Sequence, residues 1–352
     1  MEIIINIGMG DVMKDRYEFK FRYVNGDFWK NIFSSPADLN RDIFRLDGKD
    51  LPLKNIVCSS GLGNRLLLYV DQLLQFDSEI SKNVKEDRLE LYIYGMPATE
   101  IANSLNQNCS KIQFKKRLAD LHEEGKQEHA RSIQCPDCKS TIDLTFYEES
   151  KYTYCYYCQA IFKDRMEPEV PNNYRICIDC GFFGRISEHH EFYFLFLLVV
   201  YYFSYNKKLA CDKCAHSIFV KTLLTNLIFF LGVPVSIYTK FKSLKGREKG
   251  LEDLPKANAF AEKGKLNQAM DLYRNIEKIH PEHPGILMNQ GLAYMFANKP
   301  QQAMEKFDHA IRICSNYEPA IRKKAYALKP ETSLAELAEP EKKRVEPGNF
   351  GR

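Results

Sequence analysis

Four Cys-x-x-Cys hooks stand in the middle of this chain: Cys135/Cys138, Cys155/Cys158, Cys177/Cys180 and Cys211/Cys214. Two sulfurs three residues apart can hold one edge of a tetrahedron, so a four-thiolate site needs two such hooks. Four hooks therefore imply two structural zinc ions. Eight of the 11 cysteines are committed in this way. The signal concerns architecture rather than catalysis, because a closed four-thiolate site leaves no open position for a reacting water.

The hooks hold metal only when reduced, which points to a reducing, cytoplasmic compartment. The amino terminus lacks the basic stretch and apolar run of a secretory signal. A length of 352 residues suggests two to four domains. A net charge of +4 and a pI near 8.3 give no field dedicated to nucleic acid. The expected fold class is multidomain α+β: a small α/β domain, two four-cysteine modules and an all-α carboxyl-terminal region.

Residues 1–96 read as the small α/β domain. Ile3–Ile7, Tyr17–Val24, Leu53–Cys58 and Leu89–Tyr94 have strand composition, and Asn25-Gly26 is a turn signal. Pro36–Leu46 reads as a short helix. Arg65–Phe76 carries apolar residues at helical spacing. Residues 97–132 read as an increasingly polar helical connector.

Residues 133–168 carry the first two hooks. Sixteen residues separate Cys138 from Cys155 and hold a strand pattern, a polar turn at Glu148–Lys151 and a return strand. Pro136 sets the turn of the first hook. This arrangement resembles a zinc ribbon, which implies that Cys135, Cys138, Cys155 and Cys158 share one metal. Residues 175–238 carry the other two hooks, with thirty residues between Cys180 and Cys211. Gly181 suits a knuckle exit with positive φ, and the chain after Cys214 reads as a helix. That order resembles a treble clef and implies a second site at Cys177, Cys180, Cys211 and Cys214. His189 and His190 lie in the gap and are alternative ligands.

Two stretches carry no charge, Phe192–Asn206 and Thr222–Thr239. The second reaches the length of about 18 residues at which a transmembrane helix becomes a candidate. The first has no Gly, Pro, Asn or Asp before Tyr205, so it is expected to form one long strand or one buried helix rather than a tight hairpin. Lys240, Lys242, Lys245, Arg247 and Lys249 follow in a basic linker, residues 239–251. A basic cluster beside apolar sequence suits an anionic lipid surface. A protein interface or a buried core accounts for the same residues.

Residues 252–328 repeat at a 34-residue offset: Asn267-Gln-Ala-Met-Asp-Leu-Tyr273 aligns with Gln301-Gln-Ala-Met-Glu-Lys-Phe307. Here the chain resembles the tetratricopeptide repeat (TPR) family. Gly291, Tyr294, Ala303, Phe307 and Ala310 fit its small and aromatic positions, while Leu287 and Ser315 depart from them. The resemblance implies antiparallel helix pairs and a groove that binds a peptide. Asn258, Asn289 and Lys323 fall on three of the polar places that clamp a peptide carboxylate in some members. Leu254 and Pro319 hold the other two and could not contribute. Two and a half repeats need a cap or a neighbouring domain. Residues 329–352 are charged and Pro-rich, the composition of a disordered tail.

Gly61-Leu-Gly63 lacks the Lys and Ser/Thr of a phosphate loop, and Cys58 has no evident His partner. The residues therefore point to a non-catalytic zinc adaptor that binds a protein partner through the repeats and docks on a membrane or on a hydrophobic partner through residues 192–206 and 222–239. One alternative is nucleic-acid binding by the ribbon, with Tyr152, Tyr154, Tyr156, Tyr157 and Phe162 stacking on bases. The other is an enzyme with its site in residues 1–96.

Overall fold

The structure, a computed structural model, describes residues 16–24, 34–71, 77–85, 87–163, 170–171, 173–197, 200–227 and 248–328. The chain divides into two compact units. One is Met1–Glu128 with Cys138–Thr141; the other is His129–Asp137 with Ile142–Arg352. The segments Ile3–Ile7 and Asn25-Gly26, the four basic residues from Lys240 to Arg247 and the tail 329–352 lie outside the described residues.

The first unit is an antiparallel, strand-rich half-barrel. Its strands are β1 (Tyr17–Tyr23), β2 (Ser35–Leu39), β3 (Ile43–Leu46), β4 (Lys49–Pro52), β5 (Ile56–Leu62), β6 (Arg65–Val70), β7 (Val84–Lys85) and β8 (Arg88–Tyr94). The order is β4-β3-β2-β1-β8-β6-β5, with β7 also on β8. Alternate residues point inward: Phe19 and Phe21 from β1, Leu66 and Leu68 from β6, Leu89 and Leu91 from β8. A short helix α1 (Ser78–Asn83) is capped by the Asp77 carboxylate, which accepts from Glu79 N.

Helix α2 (Ala98–Glu123) packs Ala98, Ile101, Ala102, Leu105 and Cys109 into that core. It is thus part of the first unit and not a connector. Gly61 permits the approach. A Cβ there would lie 2.3 Å from Thr99 N and 2.4 Å from the Ala98 carbonyl carbon. Deeper in, Asn106 grips β5: its Oδ1 accepts from Ser59 N at 2.7 Å and its Nδ2 donates to Ser59 O at 2.9 Å. Gln107 Nε2 donates to Cys138 O and Ser110 Oγ accepts from Thr141 N, which ties Cys138–Thr141 to this unit. Gly61→Ala is expected to force backbone off backbone and to cost about 3 kcal/mol. A urea unfolding curve would show it, and a wild-type midpoint would contradict the close approach.

Two helical expectations fail here. The span 36–46 forms β2 and β3, because Asn40 Oδ1 accepts from both Asp42 N (3.0 Å) and Ile43 N (2.8 Å) and closes a turn. The span from Arg65 forms β6. Its run Leu66-Leu67-Leu68-Tyr69-Val70 fits either period, and Leu66, Leu68 and Val70 alternate into the core.

The second unit begins with two small hairpins, β9 (Ser132–Gln134) with β10 (Thr141–Asp143) and β11 (Thr153–Tyr154) with β12 (Ile161–Phe162). A three-stranded sheet follows: β13 (Tyr174–Ile176), β14 (Phe183–Leu197) and β15 (Val200–Cys211). Helix α3 (Asp212–Leu227) leaves the end of β15. Five helices complete the unit as antiparallel hairpins: α4 (Leu254–Glu262), α5 (Leu266–Glu277), α6 (Pro284–Phe296), α7 (Pro300–Ile313) and α8 (Glu318–Ala327). Small residues set their spacing. A Cβ on Gly291 of α6 would fall 2.3 Å from Phe307 Cε1 of α7.

The expectation against a tight hairpin in 192–206 is overturned. β14 and β15 pair in continuous register from Ile186↔Cys211 to Leu197↔Val200. The reason lies at the far end. Cys180 and Cys211 must meet, so the thirty residues between them have to go out and return. Strand-forming residues satisfy that by pairing with each other. Of the second apolar stretch only Thr222–Leu227 is described, inside α3. Among the described residues no helix is long and apolar enough to cross a membrane.

One hydrophobic core runs through the second unit. It joins Tyr152 and Tyr154 of the first cysteine module, Phe182 and Phe183 of the second, and Tyr273 and Phe307 of the helices. Helix α6 lies at its centre, buried without a break from Pro284 to Ala293.

Candidate metal centres

Each of the first three hooks is a turn whose exit residue takes a left-handed backbone. Lys139 follows Cys138 with φ 60°, Gln159 follows Cys158 with φ 62°, and Gly181 follows Cys180 with φ 69°. The turns close on themselves: Gln159 N donates to Cys155 O at 2.6 Å and Gly181 N to Cys177 O at 2.8 Å. The fourth hook differs. Cys211 ends β15 and Cys214 sits in the first turn of α3, where the helix amino terminus favours a thiolate.

The structure brings the eight cysteines together as two groups of four. Cys135, Cys138, Cys155 and Cys158 are all buried; Cys177, Cys180 and Cys211 are buried and Cys214 is half-buried. Within each group the sulfurs lie within 4.8 Å of one another. Sulfurs at about 2.3 Å from a tetrahedral zinc stand about 3.8 Å apart. The Cys135–Cys158, Cys180–Cys211 and Cys177–Cys214 sulfur separations are 3.6, 3.7 and 4.0 Å. The donor set and spacing fit two metal ions and are consistent with two zincs. His189 belongs to neither group, and its Nε2 lies 2.9 Å from Ser187 Oγ.

The surroundings of the second group carry compensating charge. Sulfur–sulfur hydrogen bonds, the largest from Cys180, hold the Cys177 thiol far below its ordinary range; those to Cys177 push Cys211 and Cys214 up. Four sulfurs packed this closely cannot all ionise on their own; a cation in their midst would allow it. Burial alone would lower Lys213. The negative charge at Cys180 and the hydrogen bond to Glu262 raise it instead. Its Nζ lies 2.6 Å from Glu262 Oε1 and 5.4 Å over the Phe182 ring. Arg185 and Asp212 form a buried two-point ion pair beside Cys211, at 2.8 and 3.2 Å.

Both cysteine modules are gripped by asparagines of the helices. On α6, Asn289 Oδ1 accepts from Phe183 N at 2.8 Å and its Nδ2 donates to Phe183 O at 2.7 Å. Asn258 Nδ2 on α4 donates to the same carbonyl at 3.0 Å, and Tyr273 OH donates to Asn258 Oδ1 at 2.7 Å. Between α7 and α8, Asn316 Oδ1 accepts from Tyr154 N at 2.9 Å and its Nδ2 donates to Tyr154 O at 2.8 Å. Each of Asn289 and Asn316 acts as a one-residue strand partner to an extended backbone. The Phe183 ring rests on Gly285, where a Cβ would come within 2.5 Å of it.

Asn258 and Asn289, two of the residues that the sequence marks for peptide binding, therefore hold the chain's own peptide group at Phe183. Lys323, the third, is buried in α8. Lys249 is the one residue of the basic cluster among those described, and its carbonyl lies 3.3 Å from His280 Nε2. Asn316 and the Phe182-Phe183 pair escaped the sequence reading. The available signal was two aromatics directly after a knuckle exit, which a site beside water would not need.

His283 caps α6, its Nδ1 accepting from Gly285 N at 3.2 Å, and its ring lies 5.0 Å from that of Phe183. Burial pushes its pKa down to about 3. The unfolded chain, with an ordinary imidazole near pH 6.5, then binds this proton more tightly than the folded one. Stability is full above about pH 6.5 and falls as pH drops towards 3. Between pH 7.5 and 5.5 the wild type is expected to lose about 1.4 kcal/mol more than His283→Asn, which keeps an acceptor for Gly285 N but does not titrate. Urea unfolding at the two pH values would check this; equal losses would contradict a neutral buried imidazole.

Comparison with known protein families, with curated proteins and with solved structures found no match to this chain.

Proposed function

We propose that this chain is a non-catalytic adaptor whose zinc modules brace a set of TPR-type helix pairs for binding a protein partner. The observation that carries the reading is the two-point pairing of Asn289 with the Phe183 peptide group. It is the chemistry by which the inner face of the helix pairs holds an extended polypeptide, here the chain's own, with Gly285 leaving room for an aromatic side chain. The first module, of ribbon type, supplies the cap that so short an array needs. Tyr152 N donates to Ile313 O and Ser315 Oγ to Glu148 O, at 2.8 and 2.6 Å.

Closed four-thiolate coordination favours a structural role for both ions. The β14–β15 ribbon favours a protein over a bilayer as the partner of the first apolar stretch, since lipid leaves the edge N–H and C=O groups of an open ribbon unpaired. Cobalt substitution tests the structural role. The adaptor reading expects two tetrahedral all-sulfur sites whose visible bands ignore added azide or imidazole. Bands that shift would mean an open coordination position and favour an enzyme.

A further inference from the structure

We propose that the second cysteine site is a latch on the helical groove: its metal keeps the Phe182-Phe183 knuckle seated as an internal ligand, and its loss opens the groove to an extended peptide bearing an aromatic residue. The proposal rests on the adaptor reading and adds its regulation.

Three features point to a latch. The occupant is held by groups that read backbone rather than sequence. Asn289 and Asn258 take the N–H and C=O of Phe183, and any extended residue presents the same pair. The ring sits where Gly285 offers no Cβ, so the specificity is for an aromatic side chain. The knuckle itself is short. Between Cys177 and Phe183 its backbone is set by the Cys177–Cys180 turn, in which Cys177 N donates to Phe182 O at 2.9 Å and Gly181 N to Cys177 O, and by the pairing of Ile176 with Phe183 where β13 meets β14.

The second site is also the more accessible of the two. Cys214 is half-buried and Ile178, inside the hook, is 51% exposed. All four sulfurs of the first site are buried. A chelating competitor therefore reaches the second site first, while the first module keeps its hold on Ile313, Ser315 and Asn316 at the far end of the array.

The test uses the full chain and a fluorescent peptide copying residues 177–187 with serine at both cysteine positions. Binding is read by anisotropy, and helix content by far-ultraviolet circular dichroism. The metal-loaded wild type is expected to bind at least about tenfold more weakly than Cys177→Ser/Cys180→Ser, which keeps the first site, because the internal ligand lowers the competent fraction. Adding Asn289→Ala to that double variant should abolish binding. Graded chelation of the wild type should produce the same gain as the first equivalent of metal leaves.

Equal binding by both proteins would overturn the latch. So would no binding by the double variant, binding indifferent to Asn289→Ala, or loss of the helical signal, which would make knuckle and groove inseparable. Metal analysis of the same wild-type sample separates the two claims. Two ions per chain with no gain in binding sinks the latch alone, whereas a metal-free wild type sinks the zinc adaptor as well.

Discussion

Cys211→Ser is expected to release one of the two metal ions, leave the other in place, and free the knuckle that carries Phe182 and Phe183. Cys211 closes the second site from the end of β15, and its sulfur lies 3.7 Å from that of Cys180. Metal binding at a structural four-ligand site supplies on the order of 10 kcal/mol of folding free energy in isolated modules. The knuckle is otherwise held by the β13–β14 pairing, by Phe182 and Phe183 in the core and by the Asn258 and Asn289 hydrogen bonds, so the metal's share is the closure of the Cys177–Cys180 turn. Hydrogen exchange should show the amides of residues 177–186 losing protection, with those around Cys135 and Cys158 unchanged. Loss of both ions would mean that the two sites are not separate. Retention of both would mean that the cysteines are not the ligands.

Asn289→Ala has the next largest effect. It strips the acceptor from Phe183 N, which is buried, and one of two donors from Phe183 O. An unsatisfied buried N–H costs about 1–3 kcal/mol, and the void left by the amide adds to this. A total of about 3 kcal/mol is expected. Tyr273→Phe provides the control. It deletes a hydroxyl donor to Asn258 Oδ1, but Asn289 Nδ2 still donates to that oxygen at 3.0 Å. Its cost should be nearer 1 kcal/mol. Chemical denaturation of the two variants would read the difference. A harmless Asn289→Ala would mean that the groove does not hold the knuckle by its peptide group.

The cysteine groups were legible because their chemistry is local. Two residues three apart carry the whole geometric requirement, and Cys180-Gly181 announces its own backbone turn. The helix pairs were legible for a related reason: the 34-residue offset is written in the sequence, and Gly291 and Phe307 meet on adjacent helices. The first unit was less so. Leu66-Leu67-Leu68 suits a strand or a helix, and only the neighbours β5 and β8 decide between them. Gly61 reads as a fragment of a phosphate loop, yet it is small because α2 crosses it. The ribbon β14–β15 was not legible because residues 192–203 carry no turn residue, and the constraint that pairs the strands sits at their base, where Cys180 meets Cys211.

Asn258 and Asn289 show the limit of motif reasoning most clearly. Their residue type and spacing mark backbone-reading amides correctly in chemical terms. No feature of residues 254–296 says that the backbone they read belongs to Phe183, well over sixty residues earlier. That assignment needs the three-dimensional return of the chain.

The central claim is that eight cysteines hold two metal ions without help from other ligands. X-ray absorption at the zinc edge, with metal analysis of the same purified full-length chain, tests it most directly. Two zinc ions per chain are expected, each with four sulfurs at about 2.3 Å and no nitrogen or oxygen neighbour. One ion or none, or a nitrogen or oxygen in the shell, would contradict the account.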